Sequence, residues 1–347
     1  MFHLLLLLTI ILSCLIYLYY KTSLKKNRRT LIKEFKQNIF TIVPAKRKDA
    51  ILIFKNMLKT DYVKNLSKFD LMSKTQNKNA ILKIEYIQFA IRQIQEWTSE
   101  ETKILYQYYH KFINTIIDLN LQSMWKYMPS TINIIKSTMK HEGNASGYTI
   151  NNNIVLKHLD YDLFVHEMFH VFSRYNHRVA ENLYKIFKIW VADKLVLPHH
   201  SKIKDLIISN PDTPLIVFTE VEIKKQKVLV TPILHSKKEF NNDTSFFDNM
   251  NVSLLFVEVR IYDGKVILVP RDMKAFGINS YFIDMKEVNE YIQKLGQNTD
   301  YNIHPEEVCA KQFEFIFNNT WKQKKQPELI EKMLTLLQKT YSSSNDA

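Results

Sequence analysis

The run His166, Glu167, Met168, Phe169, His170 carries the residue types and the spacing that point most directly to a reaction. On a helix, positions i and i+4 project from one face one turn apart. Both imidazoles can then reach a single tetrahedral metal, while Glu167 is close enough to take a proton from a water polarised by that metal. Zinc lowers the pKa of such a water to about 7 and polarises the carbonyl it attacks, so the expected chemistry is hydrolytic. Leu163, Phe164, Val165, Met168, Phe169, Val171 and Phe172 surround the motif, which makes the helix apolar nearly all round and predicts that it is buried. Two imidazoles and a carboxylate buried there need something to satisfy them. A divalent cation does so, and satisfied core histidines are the alternative.

A third ligand must come from elsewhere. The continuation HExxHxxGxxH is absent, because Ser173 stands at the glycine position, Asn176 at the histidine position, and His177 comes one residue late. Cysteine is no candidate: Cys14 and Cys309 lie far apart, the first inside an apolar run, which excludes a disulfide framework and argues against a Cys-based site. Glu181, Asp193, Glu306 and Glu307 remain open as the carboxylate ligand. A tetrahedral intermediate would need an oxyanion stabiliser, and Tyr148, Tyr281, Tyr301 and His304 are equal candidates. The pairs His199 with His200 and Asp212 with Pro214 read as loop residues.

The elements that must hold these residues follow from periodicity. Apolar positions recur every three or four residues across Ile81–Trp97 and Ile104–Met124, which predicts packed helices between residues 30 and 128. Beyond Pro129, Thr131–Thr138 and Tyr148–Leu156 read as extended, and helices are predicted over Asp162–Arg174 and His177–Leu195. Strand-like runs follow at Leu215–Ile223, Val228–Leu234, Leu254–Tyr262 and Val266–Val269, the last two joined by Asp263 and Gly264 as a hairpin turn. Helices return at Met285–Leu295, Pro305–Phe317 and Pro327–Thr340.

At the start of the chain, Leu4–Tyr20 is uncharged and strongly apolar, near the short limit for crossing a bilayer, and the tyrosines at its end suit an interface. Seven basic residues follow between Lys21 and Lys36. This pattern predicts a single-pass anchor with the catalytic domain on the cytoplasmic side. Of the formal net charge of +13, a large share sits in that segment, and no nucleic-acid-binding motif accompanies it, so nucleic acid is not an expected partner. The expected division is residues 1–29 as anchor and basic segment, 30–128 as a helical region, and 129–341 as the catalytic domain.

Three stretches, KSTMKHEGNASGYTINNNIVL from Lys136, HEMFHVFSRYNHRVAENLY from His166 and YNIHPEEVCAKQF from Tyr301, with Asn210-Pro211-Asp212 as a weaker fourth, resemble zinc-dependent peptidases of the zincin superfamily, gluzincin-like. The likeness spans roughly residues 129–317. It implies an α+β zincin-like domain with a small mixed or antiparallel sheet, Zn2+ as cofactor, Glu307 as third ligand, Glu167 as general base and a peptide or protein substrate. It also implies that the strand before the metal helix, within Tyr148–Leu156, lines the substrate cleft. The family pattern places an aspartate four residues after the glutamate ligand, where this chain has Lys311. A lysine cannot accept a hydrogen bond from a zinc-bound histidine, so the imidazole must be oriented by another group. The rival expectation is a catalytically inactive zinc-binding, membrane-associated structural or interaction protein, against which the presence of Glu167 argues.

Overall fold

The β-rich runs after Pro129 form strands, and they sort into two sheets. A computed structural model describes residues 40–122, 124, 128–198, 202–241 and 246–339. The strands are β1 (Thr41–Pro44), β2 (Ile94–Gln95), β3 (Thr131–Ser137), β4 (Gly147–Ile150), β5 (Asn153–Leu156), β6 (Trp190–Ala192), β7 (Lys194–Leu195), β8 (Ile216–Ile223), β9 (Gln226–Ser236), β10 (Met250–Tyr262), β11 (Lys265–Pro270) and β12 (Phe282–Asp284). The main helices are α1 (Arg47–Asn56), α2 (Lys68–Thr75), α3 (Lys83–Arg92), α4 (Ser99–Asp118), α5 (Tyr161–Tyr175), α6 (His177–Lys185), α7 (Asn289–Leu295), α8 (Pro305–Phe317) and α9 (Pro327–Lys339).

The first sheet runs β1-β3-β5-β4, with β2 also paired to β3. β3 and β5 are parallel, with Asn133 opposite Asn153, and β4 turns back antiparallel to β5 at Asn151, which adopts a φ of 53°. Asparagine tolerates that left-handed conformation, so the predicted extended stretch becomes a hairpin whose first strand ends the sheet order. Helices α1 to α3 bury Phe54, Met57, Leu71, Tyr86 and Ile87 against Ile135, Met139, Tyr148 and Val155 of this sheet and its loops. The second sheet runs β6-β8-β9-β10-β11-β7, with β12 on β10. Its β10–β11 turn is the expected Asp263-Gly264 pair, at φ of 48° and 70°, with Tyr262 opposite Lys265, as a two-residue hairpin demands.

Three expectations are corrected. Instead of one small sheet, the described residues form a mixed α/β arrangement with a five-stranded and a seven-stranded sheet. The helix expected over His177–Leu195 stops at Lys185, because the Trp190-Val191-Ala192 run pairs with β8, Trp190 lying opposite Phe218. The expected membrane-spanning helix, and with it the single-pass localisation and cytoplasmic catalytic domain, is overturned by the absence, among the described residues, of any helix long and apolar enough to cross a membrane. The longest described helix, α4, has 20 residues but is amphipathic and carries Glu100, Glu101, Lys103, Lys111 and Asp118. The run Leu4–Tyr20 and the basic segment behind it lie outside the described residues.

Residues Met1–Thr41 and Ile42–Ala347 form separate units, and only Phe40 and Thr41 of the first are described. The expected boundary at 128/129 falls inside the second unit, where Ile94 of β2 pairs with Ser137 of β3.

Candidate metal centre

Two helices pack against each other to make the site. Asp160 caps α5, accepting the Leu163 N–H at 2.8 Å, and Asn176 closes its other end by donating to the Phe172 carbonyl at 2.9 Å. Between these caps Phe164, Val165, Met168, Phe169, Val171 and Phe172 are fully buried, as their apolar pattern predicts. Pro305 occupies the first turn of α8, and His304 caps it by accepting the Glu306 N–H at 3.1 Å. Phe169 and Phe313 pack across the helix pair with ring centroids 5.4 Å apart. That apolar contact fixes the polar faces of α5 and α8 against one another.

On those faces the two histidines converge on one carboxylate. His166 Nε2 lies 3.1 Å from Glu307 Oε2, and His170 Nε2 lies 3.6 Å from the same oxygen. Ligands about 2.0–2.1 Å from a tetrahedral ion stand about 3.3 Å from one another, so both histidine–carboxylate spacings are close to those of ligands sharing a metal. His170 Nε2 is buried without a hydrogen-bond partner, which is costly for a polar nitrogen unless a ligand takes it up. His166, His170 and Glu307 thus form a buried group able to hold a metal ion, and Glu167, His170 and Asp212 form an overlapping one.

The far nitrogens of both rings are held. His166 Nδ1 donates to Glu314 Oε1 at 2.8 Å, and His170 Nδ1 donates to Glu306 Oε1 at 3.0 Å. Glu306 also accepts from Ser173 Oγ and the Tyr184 hydroxyl, so its carboxylate is spent on orienting His170. The two glutamates of the HPEE run therefore divide the work, Glu307 facing the imidazole Nε2 atoms and Glu306 lying behind one ring. Asn210 Nδ2 donates to Glu307 Oε1 at 2.8 Å, which leaves Oε2 toward the histidines. Glu181 and Asp193 do not join these groups; Asp193 instead accepts the Val266 N–H at 2.7 Å in the second sheet.

Glu167 sits beside the histidines with Thr149 Oγ1 donating to its Oε2 at 2.7 Å. Gly147 passes so close that a Cβ there would lie 2.8 Å from Glu167 Oε1, so any larger residue would push that carboxylate aside. The cleft over Glu167 has a volume of about 530 Å³ and is bordered by Asn144–Gly147, Phe247, Tyr301, Glu307 and Lys311. Of the four oxyanion candidates, the structure brings Tyr301 to the cleft. Tyr148 is buried against His141, 3.0 Å from its Nε2, and His304 is engaged by its cap and by the Leu215 carbonyl at 3.1 Å.

Asp212, read from the sequence as a loop residue, is a buried member of the site. Its Oδ1 accepts the Thr149 N–H at 2.7 Å and lies 3.4 Å from Arg174 NH2. The Asn210-Pro211-Asp212 run was the available signal, and both polar members of it turn inward. Glu314 was also missed as an orienting group, although its seven-residue spacing from Glu307 puts both on one side of the helix.

The charges explain why a cation suits this place. Glu167, Asp212, Glu306, Glu307 and Glu314 gather around the rings, opposed among the described contacts by Arg174 and Lys311 alone unless the imidazoles are protonated. Burial pulls the His166 imidazole down, but its hydrogen bonds to Glu307 and Glu314 outweigh that and raise it to about 9. For His170 burial likewise lowers, while Asp212, Glu306 and Glu307 lift it well above the ordinary value. Burial raises the Glu307 carboxyl, yet the two histidines hold it well below the usual range. Glu167 moves the other way: burial first, then the Asp212 charge, push it up to about 7.

No family model, curated protein or solved structure matches the chain. The metal-capable geometry therefore stands on the residues themselves.

Proposed function

We propose that the protein is a zinc-dependent peptidase of the zincin type, hydrolysing peptide bonds in protein or peptide substrates with Glu167 as general base. The observation that carries this reading is the convergence of His166 Nε2 and His170 Nε2 on Glu307 Oε2 at 3.1 and 3.6 Å, with Glu167 on the cleft side. Two nitrogens and one carboxylate oxygen, with a side left toward the cleft, suit a hydrolytic rather than a structural zinc, which would be closed by a fourth protein ligand. When bound, zinc supplies Lewis acidity toward water and the scissile carbonyl.

Glu167 does the proton work. Its position between the metal-facing histidines and Thr149 suits it to accept a proton from water and pass it to the leaving amine. Glu306 and Glu314 keep both imidazoles turned with Nε2 forward. Tyr301, half-exposed over the cleft, is the group placed to meet an oxyanion. The end strand β4 borders the cleft at Gly147, where an extended peptide can lie along it.

Replacing Glu167 with Gln tests the reading. Zinc content should stay near one per chain, while cleavage of a broad peptide library falls by about 100- to 10,000-fold. Equal cleavage by the variant removes Glu167 from the reaction, and a zinc-loaded wild type that cleaves nothing leaves the metal with a structural role.

A further inference from the structure

Lys311 stands where an orienting aspartate was expected, and the structure shows what holds the ring instead. Glu307 and Glu314 lie seven residues apart on α8, two turns and about 10.5 Å along the axis, and only about 20° apart around it. The His166 ring bridges that gap, with Nε2 on Glu307 at 3.1 Å and Nδ1 on Glu314 at 2.8 Å. Because the two ring nitrogens point in different directions, the Glu314 carboxylate cannot share a metal with Nε2. It belongs behind the ring. Its side chain is 5% exposed, and its second oxygen accepts from Lys311 Nζ, which reaches down from the cleft mouth one turn earlier on the same helix. A carboxylate that buried needs charged or hydrogen-bonded partners on both oxygens, and here one is the imidazole and the other the ammonium.

We infer that Lys311 and Glu314 act as a positioning pair for the metal: Glu314 fixes the His166 proton on Nδ1, and Lys311 anchors Glu314. The inference rests on the reading that His166 Nε2 is a metal ligand. A neutral imidazole can carry its proton on either nitrogen, and only the Nδ1–H tautomer leaves Nε2 free to bind. With Oε1 of Glu314 accepting, the Nδ1 proton and the ring plane are held before the metal arrives, so that loss of the Nε2 proton on binding leaves the productive tautomer. Lys311, the residue that breaks the expected pattern, is thereby part of a rearranged version of it: the acceptor has moved three residues along the helix, and the lysine secures it.

The test uses the full chain as wild type, Glu314→Gln, Lys311→Met and the control Glu331→Gln on α9, each titrated with zinc against a chromophoric chelator. Each is titrated at several pH values, because losing the Glu314 hydrogen bond also lowers the proton affinity of the ring. Glu314→Gln should bind about 10- to 100-fold more weakly, Lys311→Met should show a smaller loss in the same direction, and the control should match wild type. Proton NMR of the zinc-loaded protein supplies a readout that mere packing would not move. The downfield Nδ1–H resonance of His166 should shift or vanish in Glu314→Gln while that of His170, held by Glu306, persists. Wild-type affinity in Glu314→Gln, or an unchanged His166 resonance, overturns the pair. Failure of the wild type to bind zinc, cobalt or manganese overturns the metal reading itself.

Discussion

Zinc uptake should expel protons, in a number that the site's charges set. Before metal arrives, His166 is raised to about 9 and His170 well above its ordinary value, so at pH 7 both rings are imidazolium paired with carboxylates. A ring must be neutral at Nε2 to bind, so each gives up about one proton. Glu167, at about 7, is half protonated there, and a dication beside it removes up to about half a proton more. The expected release is therefore more than one proton per zinc, with His166 supplying about one and His170 and Glu167 adding to it. The sign follows: a raised pKa favours the metal-free imidazolium form below it, so affinity increases as pH rises through the range in which these rings lose their protons. Two units between pH 7 and the His166 value correspond to about 2.7 kcal/mol, or about 100-fold in affinity, from that ring alone. Calorimetric titration in weakly coordinating buffers of different ionisation enthalpy at pH 7 reads the number directly. A release near zero, or an affinity flat between pH 7 and 9, would refute the imidazolium–carboxylate picture.

Further outcomes follow from groups around the centre. Lys74, buried with Asp70 and Glu142 and donating to the Ser209 carbonyl at 3.2 Å, should be irreplaceable by Met: leaving those carboxylates uncompensated costs about 3–5 kcal/mol, read as a lowered urea midpoint. Gly147→Ala should keep its zinc but lose about 100-fold in turnover, because the new methyl at 2.8 Å must displace a carboxylate already tied to Thr149. Asp212→Asn should move the acid limb of the pH–rate profile to lower pH, since the Asp212 charge is one of the causes that raise Glu167; an unmoved limb would detach Asp212 from the base.

How much of this was legible in the sequence depended on whether the information was local. The i, i+4 histidines and the apolar positions around them specify a buried helix by periodicity alone, and α5 spans Tyr161–Tyr175 where Asp162–Arg174 was predicted. Pro305 at the first turn likewise marked α8, and Asp263-Gly264 marked its hairpin. What failed was what depends on long-range pairing. Trp190–Ala192 looked like a continued helix because its commitment to a strand comes from β8, more than twenty residues away. Asp212 does lie in a turn, as read, but its place in the site was hidden because its partners, Thr149 and Arg174, are 63 and 38 residues distant. Glu314 falls on the Glu307 side of its helix by spacing alone, but its role becomes legible only when His166, 148 residues earlier, is seen to rest on it. The membrane expectation rested on one apolar run outside the described residues, and no described helix supports it.

The most direct test of the metal site is crystallographic: anomalous diffraction at the zinc edge from crystals of the zinc-loaded protein. One peak is expected in the cleft between α5 and α8, about 2.0–2.2 Å from His166 Nε2, His170 Nε2 and a Glu307 oxygen, with Glu306 and Glu314 behind the rings. A peak bound through other residues, or none at these three, would contradict the assignment.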